Sequence, residues 1–324
     1  VQTITTPRGR LYARSRRHGM AAHRFKKRGL FITDLLRLYL RFKKSRLTTL
    51  FITYPGDLIL GAIAARLAGI DNVVFRRGTV ARVRKNPVNR FVFKYFITTV
   101  VTNSEANKKV MIRNKGSLFQ PERTHVIYNG MDFCGNTEMN TALHNYRNNG
   151  ELMVGVITGD LQPGRFFRLM ELLRREQHHA ANFRFLLHGN GNNQQEIKQR
   201  LRHHPSLRQM LVWDSRSRNL GEFMDSIDVF ITGNISNALN HPLMHALAHC
   251  KPVIGYDAGS NPEIIKHNEN GYLLKTGDIQ GIHEKLNALL DPDHRVSLGR
   301  EGRRSMERNF NIGHAVDQIE SLLR

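Results

Sequence analysis

The sequence holds two cysteines in 324 residues, Cys134 and Cys250. Two thiols make neither a disulfide framework nor a four-ligand zinc site. No run of 18 apolar residues occurs, so no membrane-spanning helix is expected. The opening stretch "VQTITTPRGRLYARSRR" lacks the apolar centre of a signal peptide. A reducing, cytoplasmic setting is the default expectation. There is no P-loop, no nucleophile elbow and no Ser/His/Asp order. His241 and His245 stand four apart, on one face of a helix, but no acid stands beside them as in "HExxH". No third ligand is evident, so no metal is expected.

Acidic residues are scarce. Against 49 Lys and Arg there are 27 Asp and Glu, a net charge of +22. The imbalance is one-sided. Residues 1–148 hold 28 cations and 7 acids, whereas residues 149–324 hold 21 and 20. One half is cationic and the other neutral, which divides the chain into domains 1–148 and 149–324 with different partners. A cationic surface attracts nucleic acid, anionic lipid head groups or phosphorylated glycans, or it serves solubility alone. Nucleic acid is the weakest of these, because no aromatic residues interleave with the cations in a binding motif.

Hydrophobic residues make up 40% of the chain, and they come in short runs. In the first half "TTLFITY" (48–54), "NVVFRRG" (72–78) and "ITTVVTNS" (97–104) read as strands, and "THVIYNG" (124–130) as a strand with an Asn-Gly turn. "DLILGAIAARLAG" and "SEANKKVMIRN" read as helices, the second capped by Ser104. Residues 131–150 are polar and without period, and read as the connection between domains. In the second half "LMVGVITG" (152–159), "FRFLLHGNG", "QMLVWDS", "DVFITGN", "KPVIGYDAG" and "GYLLKTGD" read as strands. "RFFRLMELLRREQ" is a helix with Phe166, Leu169, Met170 and Leu173 on one face, and residues 279–324 are terminal helices. "SNALNHPLMHALAHCKPVIG" (236–255) reads as a helix and then a strand, with Asn237 and His245 lining the start of one helix. Short strands alternating with helices give an α/β chain with parallel sheets, in two Rossmann-like domains facing a cleft. Such a domain opens with an apolar strand, a Gly-rich turn and a helix. The sequence here opens on what looks like a later strand and loop, so that first strand and helix are expected to be absent from the N-terminal domain.

Ligands of such sheets bind beyond the carboxyl ends of the strands. Three junctions qualify. "HGNG" places Gly189 and Gly191 between a strand and a helix, where backbone N–H groups can approach a phosphate, or where an ordinary turn suffices. "TGDLQPGRFFRLM" places Gly159 and Arg165 at a helix start, where a guanidinium can clamp a diphosphate or stay solvated. "YDAGSNPEIIKHNENGYLL" opens a helix at Pro262-Glu263 after Gly259, Ser260 and Asn261, either as an anion-binding loop or as a plain connection.

Together these segments resemble the retaining glycosyltransferases of the GT-B fold, specifically family 4. That family shows "S-E-G-L-P-N-x-L-x-E-A-M-A-x-G-K-P-V-I" where this chain reads "S-N-A-L-N-H-P-L-M-H-A-L-A-H-C-K-P-V-I". "AGSNPEIIKHNENGYLLKTGD", "HVIYNGMDF", "VTNSEANKK" and "FLLHGNG" are similar to further family segments. The resemblance implies that the C-terminal domain holds a nucleotide-diphosphate sugar and the N-terminal domain an acceptor. It implies Arg165 and Arg77 as the cations serving the chemistry. It implies donor contacts from Gly159, Gly189, Gly191, Asn237, Ala238, Leu239, His241, His245 and Glu263. No metal or resident cofactor is implied, and the donor is expected to be UDP- or GDP-linked. The chain departs from the pattern at the paired glutamates, which are Asn237 and His245. It departs again where Asp160 replaces an Arg and where Ala238 and Cys250 replace glycines.

The function this implies is transfer of a sugar, with retention, to a glycan or glycolipid in bacterial lipopolysaccharide or envelope polysaccharide synthesis. The altered motif leaves an alternative, a non-catalytic GT-B protein acting as a partner or scaffold. An anionic membrane surface is an expected partner, with peripheral attachment to the inner face of the cytoplasmic membrane. "FITDLLRLYLRFKKSR" (31–46) carries apolar residues beside cations. It is either a helix that lies on lipid or a core helix with a solvated edge. "RRGTVARVRKNPVNR" (76–90) adds cations in a loop, where Arg76 and Arg77 can hold a phosphate.

Overall fold

The computed structural model describes residues 2–5, 10–26, 29–78, 86–113, 118–133, 151–175, 183–189, 193–215 and 217–323. The chain forms two compact units, Val1–Arg76 with Val83–Val100, and Arg77–Arg82 with Val101–Arg324. No described helix is long and apolar enough to cross a membrane.

The first unit opens with strand β1 (Gln2–Thr5), helix α1 (Arg10–Arg17) and strand β2 (Ala21–Arg24), the two strands pairing in parallel. Helix α2 (Phe31–Ser45), strand β3 (Thr49–Ile52), helix α3 (Leu58–Leu67), strand β4 (Asn72–Arg77), helix α4 (Pro87–Tyr95) and strand β5 (Thr99–Thr102) follow. Helix α5 (Glu105–Arg113) and strand β6 (Thr124–Val126), which belong to the second unit, come next in the chain, and the four-stranded sheet runs β3-β4-β5-β6. Helix α3 is rich in small residues. Buried Gly61, Ala62, Ala64 and Ala65 let it pack closely, with α2 and α4 against it. Helix α4 starts where the Asn86 side chain accepts the Asn89 N–H and Pro87 sets the first turn.

In the second unit strand β7 (Leu152–Ile157), helix α6 (Pro163–Arg175), strand β8 (Phe183–His188), helices α7 (Asn193–His203) and α8 (Pro205–Arg208) and strand β9 (Leu211–Trp213) build one half of a sheet. Helix α9 (Leu220–Asp225), strand β10 (Val229–Thr232), helix α10 (His241–Ala248), strand β11 (Val253–Tyr256), helix α11 (Asn261–Ile264) and strand β12 (Tyr272–Leu274) build the other. Helices α12 (Ile279–Ala288), α13 (Pro292–Asn309) and α14 (Ile312–Leu323) close the chain. The sheet is parallel, in the order β12-β11-β10-β7-β8-β9. Its strands are apolar on both faces because helices cover both. Val154, Val156, Phe185 and Leu187 pack with Phe166 and Met170 on one side. Met153, Leu186, Phe230 and Val253 pack with Phe223, Leu243 and Met306 on the other.

Three local expectations need correction. The helix expected from Asn237 begins at His241. The strand expected to run up to the Asn129-Gly130 turn ends at Val126. Helix α1 begins in a stretch that the sequence pattern read as a loop. The connection at 131–150 lies mostly outside the described residues, as do Gly191 and residues 79–85.

Candidate active site

The chain climbs from β7 through β8 to β9, then crosses back to place β10 against the free side of β7. That reversal puts a crevice beyond the carboxyl ends of β7 and β10, where such sheets bind ligands. Of the expected donor residues, Gly159, Gly189, Asn237, Ala238 and Leu239 lie on the loops after β7, β8 and β10, whereas His241 and His245 lie on α10 and Glu263 on α11. After β7 a short 3-10 turn covers Thr158–Asp160, and Gly159 is exposed, with open space around it. After β8 comes Gly189, whose φ of 94° suits glycine alone among common residues. The Thr158 hydroxyl bonds the Gly189 carbonyl at 3.0 Å, and Asn193 Nδ2 donates to the carbonyls of Thr158 and Leu161 at 3.1 and 2.6 Å. These bonds tie the two loops into one wall. His188 is fixed beneath it by Asp214 at 2.6 Å and by stacking on Phe223.

The loop after β10 forms the opposite wall. Helix α10 starts at His241 because Asn240 is a complete cap. Its side-chain oxygen accepts the Leu243 N–H at 3.3 Å, and its amide donates to Thr232 and Asn261 at 3.1 and 3.0 Å. Pro242 then sets the first turn. Asn237 and His245 therefore do not share a helix, since Asn237 sits in the preceding turn.

Three consecutive carbonyls of that turn are held. Ser236 accepts the Ser260 N–H at 3.0 Å, Asn237 accepts the Ser104 hydroxyl, and Ala238 accepts the Ser260 hydroxyl at 2.7 Å. Gly259, at φ 59°, lies so close that a methyl there would overlap the Ser236 carbonyl. The Leu239 side chain is buried in the core and offers no polar atom. The Asn237 side chain has no hydrogen-bond partner among the described residues.

His241 Nε2 lies 2.8 Å from Asn129 Nδ2 and accepts from it as a neutral ring. Burial, followed by the nearby rings of His249 and His241, holds the His245 imidazole below its ordinary pKa. Its Nδ1 is buried without a partner.

Arg165 stands in the first turn of α6, its guanidinium against Gly277 and bonded to the Tyr256 hydroxyl. Its Nη1 is likewise buried without a partner. The pocket beside it, lined by Val156, Ile231 and Tyr256, is about 40 Å³, room for a water and not for a sugar. Asp160 makes no ion pair with Arg165 or Arg168. It bonds the Asn234 side chain, and burial raises its pKa.

Glu263 does not face a free crevice. Its two oxygens accept the Glu105 and Ala106 N–H groups, each at 2.7 Å, and the Tyr128 hydroxyl at 2.9 Å. It thus caps the N-terminus of α5 together with Ser104, which accepts the Asn107 N–H at 3.1 Å. Burial and Glu263 together push the Tyr128 hydroxyl pKa well up. Arg77 ends β4, buried, its guanidinium 6.0 Å from the centre of the Phe119 ring.

The sequence pattern missed Asn240 and Tyr128, and it marked Ser260 and Asn261 only as a loop that could bind an anion, where their side chains instead bond the chain itself. An Asn before His-Pro is a readable helix start, so Asn240 was within reach. The partners of Glu263 lie more than a hundred positions away and left no local signal.

Residues 137–305 match the profile of the family described as Glycosyl transferases group 1. The chain belongs to that family. Residues 1–133 match Glycosyltransferase Family 4. An Escherichia coli UDP-Gal:alpha-D-GlcNAc-diphosphoundecaprenol alpha-1,3-galactosyltransferase is 22% identical over 89% of this chain and 78% of its own. The Staphylococcus aureus capsular polysaccharide biosynthesis glycosyltransferase CapM is 22% identical over 90% and 80%. Anabaena HepE, solved with UDP and glucose, superposes with a TM-score of 0.78 at 17% identity, over 99% of this chain and 91% of that one. This group 1 glycosyltransferase therefore has the GT-B fold, two Rossmann-like domains with parallel sheets.

Within this glycosyltransferase the crevice beyond β7 and β10 departs from the family pattern. Neither position 237 nor position 245 carries a carboxylate. The groups there are an amide, which donates and accepts, and a neutral imidazole. Both can bond hydroxyls without adding negative charge to the crevice. The N-terminus of α6, with Arg165 in its first turn, is a cationic feature near the end of β7.

Proposed function

We propose that this glycosyltransferase moves a sugar, with retention at the anomeric carbon, from a UDP- or GDP-linked donor to a glycan or glycolipid. The setting is bacterial lipopolysaccharide or envelope polysaccharide assembly. Residues 149–324 take the donor and residues 1–148 the acceptor. In this reading Asn237 bonds the donor sugar, His245 reaches the ribose, and the loops at Gly159 and Gly189 approach the diphosphate. Arg165 offsets the charge that grows on the leaving diphosphate, and Arg77 holds a phosphate. The relatives support the acceptor class. The E. coli enzyme is named for a diphosphoundecaprenol acceptor, and the S. aureus enzyme for capsular polysaccharide.

The observation that carries the donor reading is a pair of atoms. His245 Nδ1 and Arg165 Nη1 are both buried without hydrogen-bond partners. A buried polar atom left unpaired is costly, and a ligand oxygen repays that cost. Thermal-shift titration with UDP-, GDP- and ADP-sugars tests it, alongside hydrolysis and transfer assays. Nucleotide binding should raise apparent stability in a concentration-dependent way.

A second reading rests on Asp160, an anion where the family places a cation. In it the chain keeps the fold and serves as a non-catalytic partner. Nucleotide binding without hydrolysis or transfer would favour that reading.

A further inference from the structure

Sixteen large apolar side chains are exposed among the described residues, and eleven of them belong to the first unit. They are ordered. On α2 the inward face buries Asp34, Leu38 and Phe42. The outward face carries Ile32, Leu36 and Leu40, one turn apart, at 78%, 54% and 57% exposure. On α4 the inward face buries Asn89, Val92 and Phe93, and Val88, Phe91 and Tyr95 stand outward. Helix α3 packs against both, so the three helices form one layer. An apolar row repeated on two helices that both pack against a third is more than scattered surface hydrophobicity. The solvated edge that a core helix would need is, on α2, an apolar stripe.

The cations decide what covers it. The first unit holds 20 Lys and Arg against three Asp and no Glu. Arg41, Lys43 and Lys44 are exposed beside the α2 stripe, and Arg90 and Lys94 beside the α4 stripe. The Lys94 ammonium lies 5.0 Å from the centre of the Tyr95 ring. A second copy of this face would bring two strongly cationic surfaces together, which is repulsive. A polynucleotide would meet the cations and leave the Ile and Leu row without a partner. An anionic bilayer meets both, its phosphates taking the cations and its acyl boundary the apolar row.

We propose that the α2–α3–α4 layer docks on an anionic phospholipid surface. Ile32, Leu36, Leu40, Phe91 and Tyr95 enter the boundary between head groups and acyl chains, and the flanking Lys and Arg meet phosphate. The chain lies on the membrane by one face. This does not depend on which sugar is transferred, and its test uses no nucleotide, so either reading can fail alone.

The test is co-sedimentation of the whole chain with vesicles of phosphatidylglycerol and phosphatidylcholine, and with vesicles of phosphatidylcholine alone. The anionic vesicles should be bound at least about tenfold more tightly, with affinity falling as salt rises. The triple variant Ile32→Ser, Leu36→Ser, Leu40→Ser should lose about tenfold or more even at low salt. The double variant Lys43→Glu, Lys44→Glu should bind more weakly at low salt and show a flatter salt dependence. Hydrogen exchange on the unmodified chain gives a readout free of folding defects, with vesicles protecting amides in 31–45 and 87–95. Absence of vesicle binding at low salt would overturn the proposal. So would an unchanged triple variant, protection confined to other segments, or a concentration-dependent dimer that the triple variant dissolves while vesicles leave the parent unbound.

Discussion

The two compact units use polar and apolar groups in opposite ways. The first buries three polar or charged side chains among its described residues, Ser15, Asp34 and Asn89, and shows its cations and many of its large apolar side chains to the outside. The second buries fifteen, and its 29 Lys and Arg are nearly balanced by 24 Asp and Glu. Where such groups are satisfied, as at Asn240, Ser260 and Asn261, they fix one geometry, because each alternative arrangement leaves a donor or acceptor unpaired. Such rigidity suits loops that must hold a small ligand in one pose. A surface of apolar rows and mobile cations suits a partner that deforms, such as a bilayer. The difference teaches where precision is needed, at the crevice beyond β7 and β10.

If that contrast is right, the second unit is the fragile one. The largest effect is expected from Gly259→Ala, which drives a methyl into the Ser236 carbonyl at a φ of 59°. Urea denaturation should show a loss of about 3 kcal/mol or more, together with lost nucleotide binding. Glu263→Gln comes next. It puts an N–H where a helix N–H needs an acceptor, and should cost about 1–3 kcal/mol. A double-mutant cycle with Tyr128→Phe should show coupling, since both groups meet on one oxygen.

Cys250→Gly should act in the opposite direction. Cys250 follows α10 at a φ of 55°, and glycine there should stabilise by about 1 kcal/mol. The pH response is a further check. His245 has its folded-state pKa below the ordinary 6.5, so the unfolded chain binds more protons just below that pH. Stability should therefore fall as pH drops through 6.5, and His245→Gln should flatten the melting temperature against pH. The smallest effect should come from the first unit. Leu36→Ser removes an exposed side chain and should change stability by under about 0.5 kcal/mol. A large loss there would break the contrast, since it would mean that the stripe is packed.

Much of this was legible in the sequence, and the reasons are physical. Strands β7, β8, β10 and β11 were readable because a strand covered on both faces is an uninterrupted apolar run, as in "LMVGVI" and "VFIT". Helix α6 was readable from the spacing of Phe166, Leu169, Met170 and Leu173, all of which are buried. The family resemblance marked position 250 as a glycine, and the left-handed backbone there explains why the family keeps one. The start of α10 was misplaced because Leu239 continues the apolar period of the helix while packing from the turn before it. The role of Glu263 was invisible, because a carboxylate that caps a helix elsewhere in the chain looks in sequence like one that faces a ligand. For α2 the pattern admitted two answers, since periodicity shows that a face is apolar and not whether anything covers it.

The central claim is that the crevice holds a nucleotide without its carboxylate pair. Calorimetric titration of the folded chain with UDP and with GDP tests it most directly, repeated on Arg165→Ala and Asn237→Ala. The account predicts saturable binding of one of the two, weakened about tenfold or more by Arg165→Ala, which removes a charge-assisted contact. Asn237→Ala should weaken binding of the sugar-linked donor more than that of the bare nucleotide. No heat of binding with either nucleotide at millimolar concentration, from protein that melts cooperatively, would contradict it.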